Sequence, residues 1–157
     1  MSALVIREAL EADLSAIVGM IADDDKGRSR EDISEPLNPG YRAAFDAIAG
    51  DPNQHLLVAE LDGALVGTFQ LSFLVGLSQR GAWRGQIEAV RIARAQRGQG
   101  LGREMIEWAI SRCRARGCRM VQLTTHESRG RAHSFYERLG FEPSHIGMKL
   151  HLSGANV

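Results

Sequence analysis

Cysteine is nearly absent: Cys113 and Cys118 are the only two in 157 residues. Two thiols make no disulfide framework, and a reduced, cytoplasmic setting is the simplest reading. Long apolar runs are lacking too. None is long enough to span a bilayer, and Met1 to Leu10 has no signal-peptide pattern. No repeat, low-complexity tract or linker divides the chain. It reads as one domain over residues 1–157, long enough to bury a core without staples. His126 and His133 have no further ligands at metal-binding spacing, which argues against a metal site.

Net charge is also missing, since 19 basic side chains balance 19 acidic ones. A chain that is not basic overall, with no aromatics interleaved among its arginines, is not expected to bind nucleic acid. The balance hides a polarity. Residues 1–78 hold five basic and thirteen acidic side chains, whereas residues 79–138 hold thirteen arginines and five glutamates. A cationic half suits a ligand with several phosphates, and an acidic half suits a cationic partner. Charges that merely decorate solvated faces would give the same count.

Periodicity lays out the elements. Leu4 to Arg7 reads as a short strand. Asp13 is placed to cap or open a helix whose apolar face is Leu14, Ile17, Val18 and Ile21. Asp23 to Glu35 reads as a polar loop. A second helix spans roughly Tyr41 to Ala49 and stops at Gly50. Leu56 to Glu60 is strand-like, and Asp62-Gly63 signals a hairpin. The next strand alternates, with Leu65, Gly67, Phe69, Leu71 and Phe73 facing one way. Ile87 to Ile92 is another strand. A long helix starts near Gln99 and is capped by Gly117. Met120 to Thr124 is a strand, Gly130 to Leu139 a helix, and Ile146, Met148, Leu150 and Leu152 alternate along a last strand. The order β-α-α-β-β-β-α-β-α-β, with hairpins first and helical crossovers later, predicts an α/β fold of the α+β type. Its central sheet would be mixed but mostly antiparallel, flanked by about four helices.

Glycine, by contrast, is plentiful at one place: Arg97-Gly98-Gln99-Gly100-Leu101-Gly102. A glycine-rich turn at a helix start exposes backbone N–H groups with no intrahelical partner, at the positive end of the helix dipole. That combination binds phosphate, and the missing Cβ atoms let it approach the backbone. A P-loop would close with Gly-Lys-Ser/Thr, but Arg103 and Glu104 follow Gly102. A dinucleotide fingerprint starting at Gly98 and Gly100 would need a third glycine at Arg103. The order that fits is Arg97, Gly100, Gly102. It resembles the acetyl-CoA pyrophosphate loop of the GNAT superfamily of N-acetyltransferases.

Two more segments extend the resemblance. Ile87 to Ile92, five residues before Arg97, is similar to the family's central strand. The resemblance implies that backbone groups of Val90, Arg91 and Ile92 hold the pantetheine arm, and that the Val90 N–H faces the thioester oxygen. Ala132-His133-Ser134-Phe135-Tyr136, followed by Gly140-Phe141, is similar to the family's Ala-x-x-Phe-Tyr and Gly-Phe. Tyr136 then falls on a frequent general-acid position; otherwise it completes the apolar stripe of Ala132, Phe135 and Leu139. A phenol of ordinary pKa ~10 can protonate a departing thiolate, whose model value is ~8.5. Relatives often carry Asn three residues before this motif, against the pantetheine. Here Arg129 stands there, either reaching a phosphate or marking a lost contact.

The attacking amine must be neutral, yet a lysine-like amine has a pKa of ~10.4. Glu88 is the candidate base, directly or through water, because period two puts it on the face of Val90 and Ile92. It could equally be a structural carboxylate. The acidic run Asp23-Asp24-Asp25 either attracts a cationic acceptor or is simply solvated. The resemblance thus implies an acetyl-CoA-dependent N-acetyltransferase. Its catalytic residues would be Tyr136 and Glu88. Cofactor contacts would come from Val90, Arg91, Ile92, Arg97, Gly98, Gln99, Gly100, Leu101, Gly102, Arg103, Arg129 and Tyr136. The acceptor would be a small amine or a peptide amino group, and a homodimer is compatible. A non-catalytic acyl-CoA-binding module is the alternative, and an acyltransferase acting on a protein partner is a third reading.

Overall fold

The computed structural model describes residues 2–24 and 26–152. Five strands form one sheet in sequence order: β1 (Val5–Glu8), β2 (Gln54–Leu61), β3 (Ala64–Val75), β4 (Trp83–Ile92) and β5 (Met120–Leu123). The first four are antiparallel and β5 joins β4 in parallel. Five helices accompany them: α1 (Leu14–Ala22), α2 (Pro39–Ala49), α3 (Ser78–Gly81), α4 (Leu101–Arg116) and α5 (Gly130–Arg138). The mixed, mostly antiparallel sheet is the one expected. The fifth helix is α3, a single turn in which Gln79 and Arg80 adopt left-handed backbone.

Local chemistry explains the element ends. Asp62 and Gly63 both have positive φ, 52° and 79°, as a two-residue type I′ hairpin turn requires. The Asn38 side chain caps α2 by accepting from Gly40 N at 2.9 Å, with Pro39 at the first helical position. Gly117 closes α4 at φ 84°, and Cys118 N reaches back to Cys113 O at 2.9 Å. Asp13 does not cap α1 as expected. Its carboxylate is turned back to accept from Leu10 N (2.7 Å) and from Arg7 (2.7 Å), because a buried acid next to a guanidinium gains more there.

The core lies between the sheet and α4. Phe69, Leu71 and Ile87 meet Met105, Ile106, Ala109 and Cys113, all buried. Two close approaches fix this packing. A Cβ on Gly67 would sit 2.7 Å from Met105 Sδ, and one on Gly85 would overlap Cys113 Sγ. On the opposite face Leu14, Ile17, Val18 and Ala22 of α1 are buried against β3 and β4.

One expected strand does not form. Among the described residues the sheet ends at β5, and the chain from Ile146 to Leu152 pairs with nothing. Its alternating apolar side chains stand in solvent. Period two shows that a segment suits a strand; it does not supply an edge to join.

Candidate active site

Two irregularities of β4 build the site. The first is a bulge. Thr68 pairs with Arg91 and Gln70 with Glu88, so Ala89 and Val90 together oppose Phe69 alone. Ala89 takes φ 51°, an uncommon conformation for a residue with a Cβ. The bulge corrects the expected face of Glu88. Its partner Gln70 lies with Thr68 and Ser72, opposite to Gly67, Phe69 and Leu71, which face α4. Glu88 therefore shares a face with Arg91, and not with Ile92, which approaches the start of α4. An extra residue between them inverts the parity that period two assumes.

The second irregularity is a parting of strands. β4 bonds to β5 only from Arg84–Met120 to Ile87–Leu123. Beyond Ile87 the β5 side of Glu88 to Ile92 has no strand partner among the described residues. This unpaired stretch forms a slot only in the sense of the sheet's ladder, a run of backbone donors and acceptors that an extended ligand can join as an added strand. Two carbonyls along it are already engaged: Arg91 Nη1 donates to Val90 O (2.9 Å) and Arg97 Nε to Ile92 O (3.1 Å). A carbonyl has two lone pairs, so each can take another donor.

The glycine turn sits at the end of this slot. Gly98 and Gly100 have φ 77° and 82°, and a Cβ at either would meet no heavy atom within 4 Å. Gly100 is the N-cap of α4, which starts two residues later than expected. The first helical bond runs from Glu104 N to Gly100 O at 3.3 Å, so the preceding amides point out of the helix end. Gly102 lies under α5, where an added Cβ would stand 3.6 Å from Phe135 Cζ and 4.0 Å from Ile92 Cγ1. The turn, the end of β4 and α5 thus converge. Arg103 points outward to Glu107 at 2.7 Å. Arg97 is committed elsewhere, donating to Asp23 O at 3.1 Å and pairing with its carboxylate at 3.6 Å.

Tyr136 packs edge-on between Phe135 and Phe141, at ring-centroid distances of 5.1 and 5.7 Å. Burial pushes its phenol above the ordinary value, against the opposing pull of the Arg91 and Arg129 charges. Those two arginines share one carboxylate, each 3.1 Å from Asp24 Oδ2. Asp24 is held at about 2. Burial alone would raise it, but the Gly27 N–H, the Arg129 hydrogen bond and the two guanidinium charges prevail. Burial pulls Arg91 below its usual value, and its buried Nε finds no acceptor among the described residues.

This cluster is what sequence reasoning missed. Asp23 and Asp24 are not a solvated run; they hold Arg94, Arg97, Arg91 and Arg129. Asp25 lies outside the described residues. The only linear signal was the opposed charge of the two halves, since Asp24 and Arg129 are 105 residues apart. Glu88 and Gln86 lie on the same face, with Gln86 accepting from Gln122 at 2.8 Å.

A strand that bulges and loses its neighbour, beside an open glycine turn at a helix start, is the arrangement that the resemblance to the GNAT superfamily implies. Comparison with known proteins agrees. The model of the Acetyltransferase (GNAT) family matches residues 18–141. Aminoalkylphosphonate N-acetyltransferase of Salmonella typhimurium is 33% identical over 106 residues, 68% of either chain. A Bacillus halodurans C-125 protein described as a transcriptional regulator is 46% identical, with a TM-score of 0.92 over 96% of this chain and 100% of that one. A putative acetyltransferase from Agrobacterium tumefaciens str. C58 is 26% identical, with a TM-score of 0.81 over 94% and 99%. The chain belongs to the GNAT family. It is an N-acetyltransferase, and acetyl-CoA is its cosubstrate. No helix among the described residues is long and apolar enough to cross a membrane.

Proposed function

We propose that the protein moves the acetyl group of acetyl-CoA directly to a small primary amine that carries an anionic group. The observation behind this reading is the slot left where β4 parts from β5, with the glycine turn at one end and the Arg91–Asp24–Arg129 cluster at Tyr136. The diphosphate of the cofactor rests on the amides of Gly98 to Arg103, and pantetheine runs along Val90, Arg91 and Ile92. The amine nitrogen attacks the thioester carbonyl, the oxyanion takes the Val90 N–H, and the C–S bond breaks. Tyr136 gives its proton to the thiolate. Glu88 takes the proton of the amine, directly or through one water, from the face it shares with Arg91. No acyl-enzyme forms.

The acceptor class rests on charge. Two guanidiniums share one carboxylate beside Tyr136, which leaves a net positive charge in a partly buried place. Arg recognises carboxylate and phosphonate in paired geometry. The Salmonella relative's aminoalkylphosphonate acceptors have that character. On this reading Arg129 serves the acceptor rather than a cofactor phosphate. Two free thiols suit a reducing, cytoplasmic setting.

Thiol release from acetyl-CoA, followed with 2-aminoethylphosphonate, β-alanine, ethanolamine and a short lysine peptide, tests both parts. The anionic amines should lead, and Arg129→Gln should erase their lead while cofactor binding persists. If no amine releases thiol from a protein that binds acetyl-CoA, transfer itself is refuted. If ethanolamine does as well as β-alanine, the anionic class alone is wrong.

A further inference from the structure

The acidic half of the chain holds a second concavity, away from the transfer site. α2 rests on β2 with none of its own residues fully buried, and a half-open cavity of about 310 Å³ lies between the two. That size is within the ~300–1,000 Å³ of small-molecule sites. Phe45, Ile48, Pro52 and Leu56 give it apolar walls, and Glu8, Asp51 and His55 its ionisable ones.

The charge of this cavity has one sign. No lysine or arginine lines it among the described residues. Asp51 accepts from Gln54 Nε2 at 2.9 Å and from Asn53 N at 2.8 Å, and these bonds hold its carboxyl below the ordinary range. Glu8 Oε1 lies 2.5 Å from His55 Nδ1. Two carboxylates against one imidazole leave the cavity negative in either state of His55. Each carboxylate has about four lone-pair sites, so these contacts do not saturate it. Ile48 and Ala49 belong to the last turn of α2, the negative end of the helix dipole.

We infer that this cavity binds a small organic ammonium ion, with its apolar body against Phe45, Ile48 and Leu56 and its nitrogen facing Glu8 and Asp51. Apolar walls alone would take any small hydrophobe; the two carboxylates and the helix end select the cation and repel anions. The site is distinct from the one that holds acetyl-CoA. β3 lies between β2 and β4, so two strand spacings, about 10 Å, separate the cavity from β4. Gln54 is level with Ser72 and Gln86, toward the other end of β4 from Ile92 and the glycine turn. The inference therefore does not rest on the acceptor class proposed above.

Isothermal titration calorimetry with n-hexyltrimethylammonium tests this. Its nitrogen has neither a proton nor a lone pair, so it cannot be acetylated and reports binding alone. One equivalent should bind, equally with and without saturating acetyl-CoA, and hexanoate should bind at least about tenfold more weakly. Glu8→Gln/Asp51→Asn keeps the acceptor oxygens and removes the charge. It should weaken ammonium binding about tenfold and leave the rise in Tm with acetyl-CoA intact. Amide NMR shifts of the wild type should cluster at residues 45–56, and this readout stands if the double variant misfolds. Absence of binding, equal binding of hexanoate, or displacement of the ammonium by acetyl-CoA overturns the inference. So does a folded double variant that binds the ammonium as well as the wild type, and so do shifts centred on Val90 to Gly102.

Discussion

Gly100→Glu puts the cofactor reading at greatest risk. Gly100 holds φ 82° at the mouth of α4, and nothing lies within 4 Å of where its Cβ would be. The substitution therefore clashes with nothing in the ligand-free protein. It adds left-handed strain of about 1–2 kcal/mol. At roughly 2–4 °C per kcal/mol for a chain of this size, Tm should fall by about 2–8 °C. In the wild type, acetyl-CoA at a hundred times its Kd contributes about 2.7 kcal/mol. That is a rise of roughly 5–11 °C on the same scale. The introduced carboxylate would stand where a phosphate needs backbone N–H groups, so that rise should vanish. Gly117→Ala is the control. Gly117 has the same strain at φ 84° and the same open surroundings, but it closes the far end of α4. It should lower Tm comparably and keep the full cofactor rise. Thermal melts of the three proteins with and without acetyl-CoA decide the matter. An undiminished rise in Gly100→Glu would refute the diphosphate site.

Tyr136→Phe should lower kcat by about 10²–10⁴-fold, the usual span for a lost general acid, with KM for acetyl-CoA little changed. Burial raises the Tyr136 pKa, so its proton is retained across neutral pH. The wild-type alkaline limb should lie above the ordinary ~10, and the Phe variant should lack it; equal turnover of the two proteins removes Tyr136 from the chemistry. Glu88→Gln should cut kcat/KM most at neutral pH and progressively less as pH nears the amine value of ~10.4. A loss independent of pH would assign Glu88 a structural role. Gly85→Ala should force Cys113 aside and destabilise by about 1–3 kcal/mol. Adding Cys113→Ala should restore most of the lost Tm; failure to do so would mean that this contact does not set the distance between α4 and β4.

Most of the architecture was legible because local chemistry fixes it. Asp62-Gly63 can only turn, Gly117 can only end a helix cheaply, and the alternation from Leu65 to Phe73 gives β3 its two faces. The glycine turn was equally readable as outward amides at a helix start, and the positive φ of Gly98 and Gly100 is a conformation that glycine permits there. The Phe135-Tyr136 pair on α5 was readable from its spacing to Gly140 and Phe141.

Three features needed the folded chain. Period two assumes one residue per pleat, so it could not foresee that Ala89 and Val90 share a single partner and turn Glu88 to the other face. Charge counts gave two opposed halves but not their pairing. Only folding brings Asp24 between Arg91 and Arg129, because Coulomb attraction depends on distance in space and not along the chain. The alternation from Ile146 to Leu152 suggested a last strand, and none forms there among the described residues. Whether that segment has a neighbour is a property of the sheet, whose β5 edge pairs with β4 alone among the described residues.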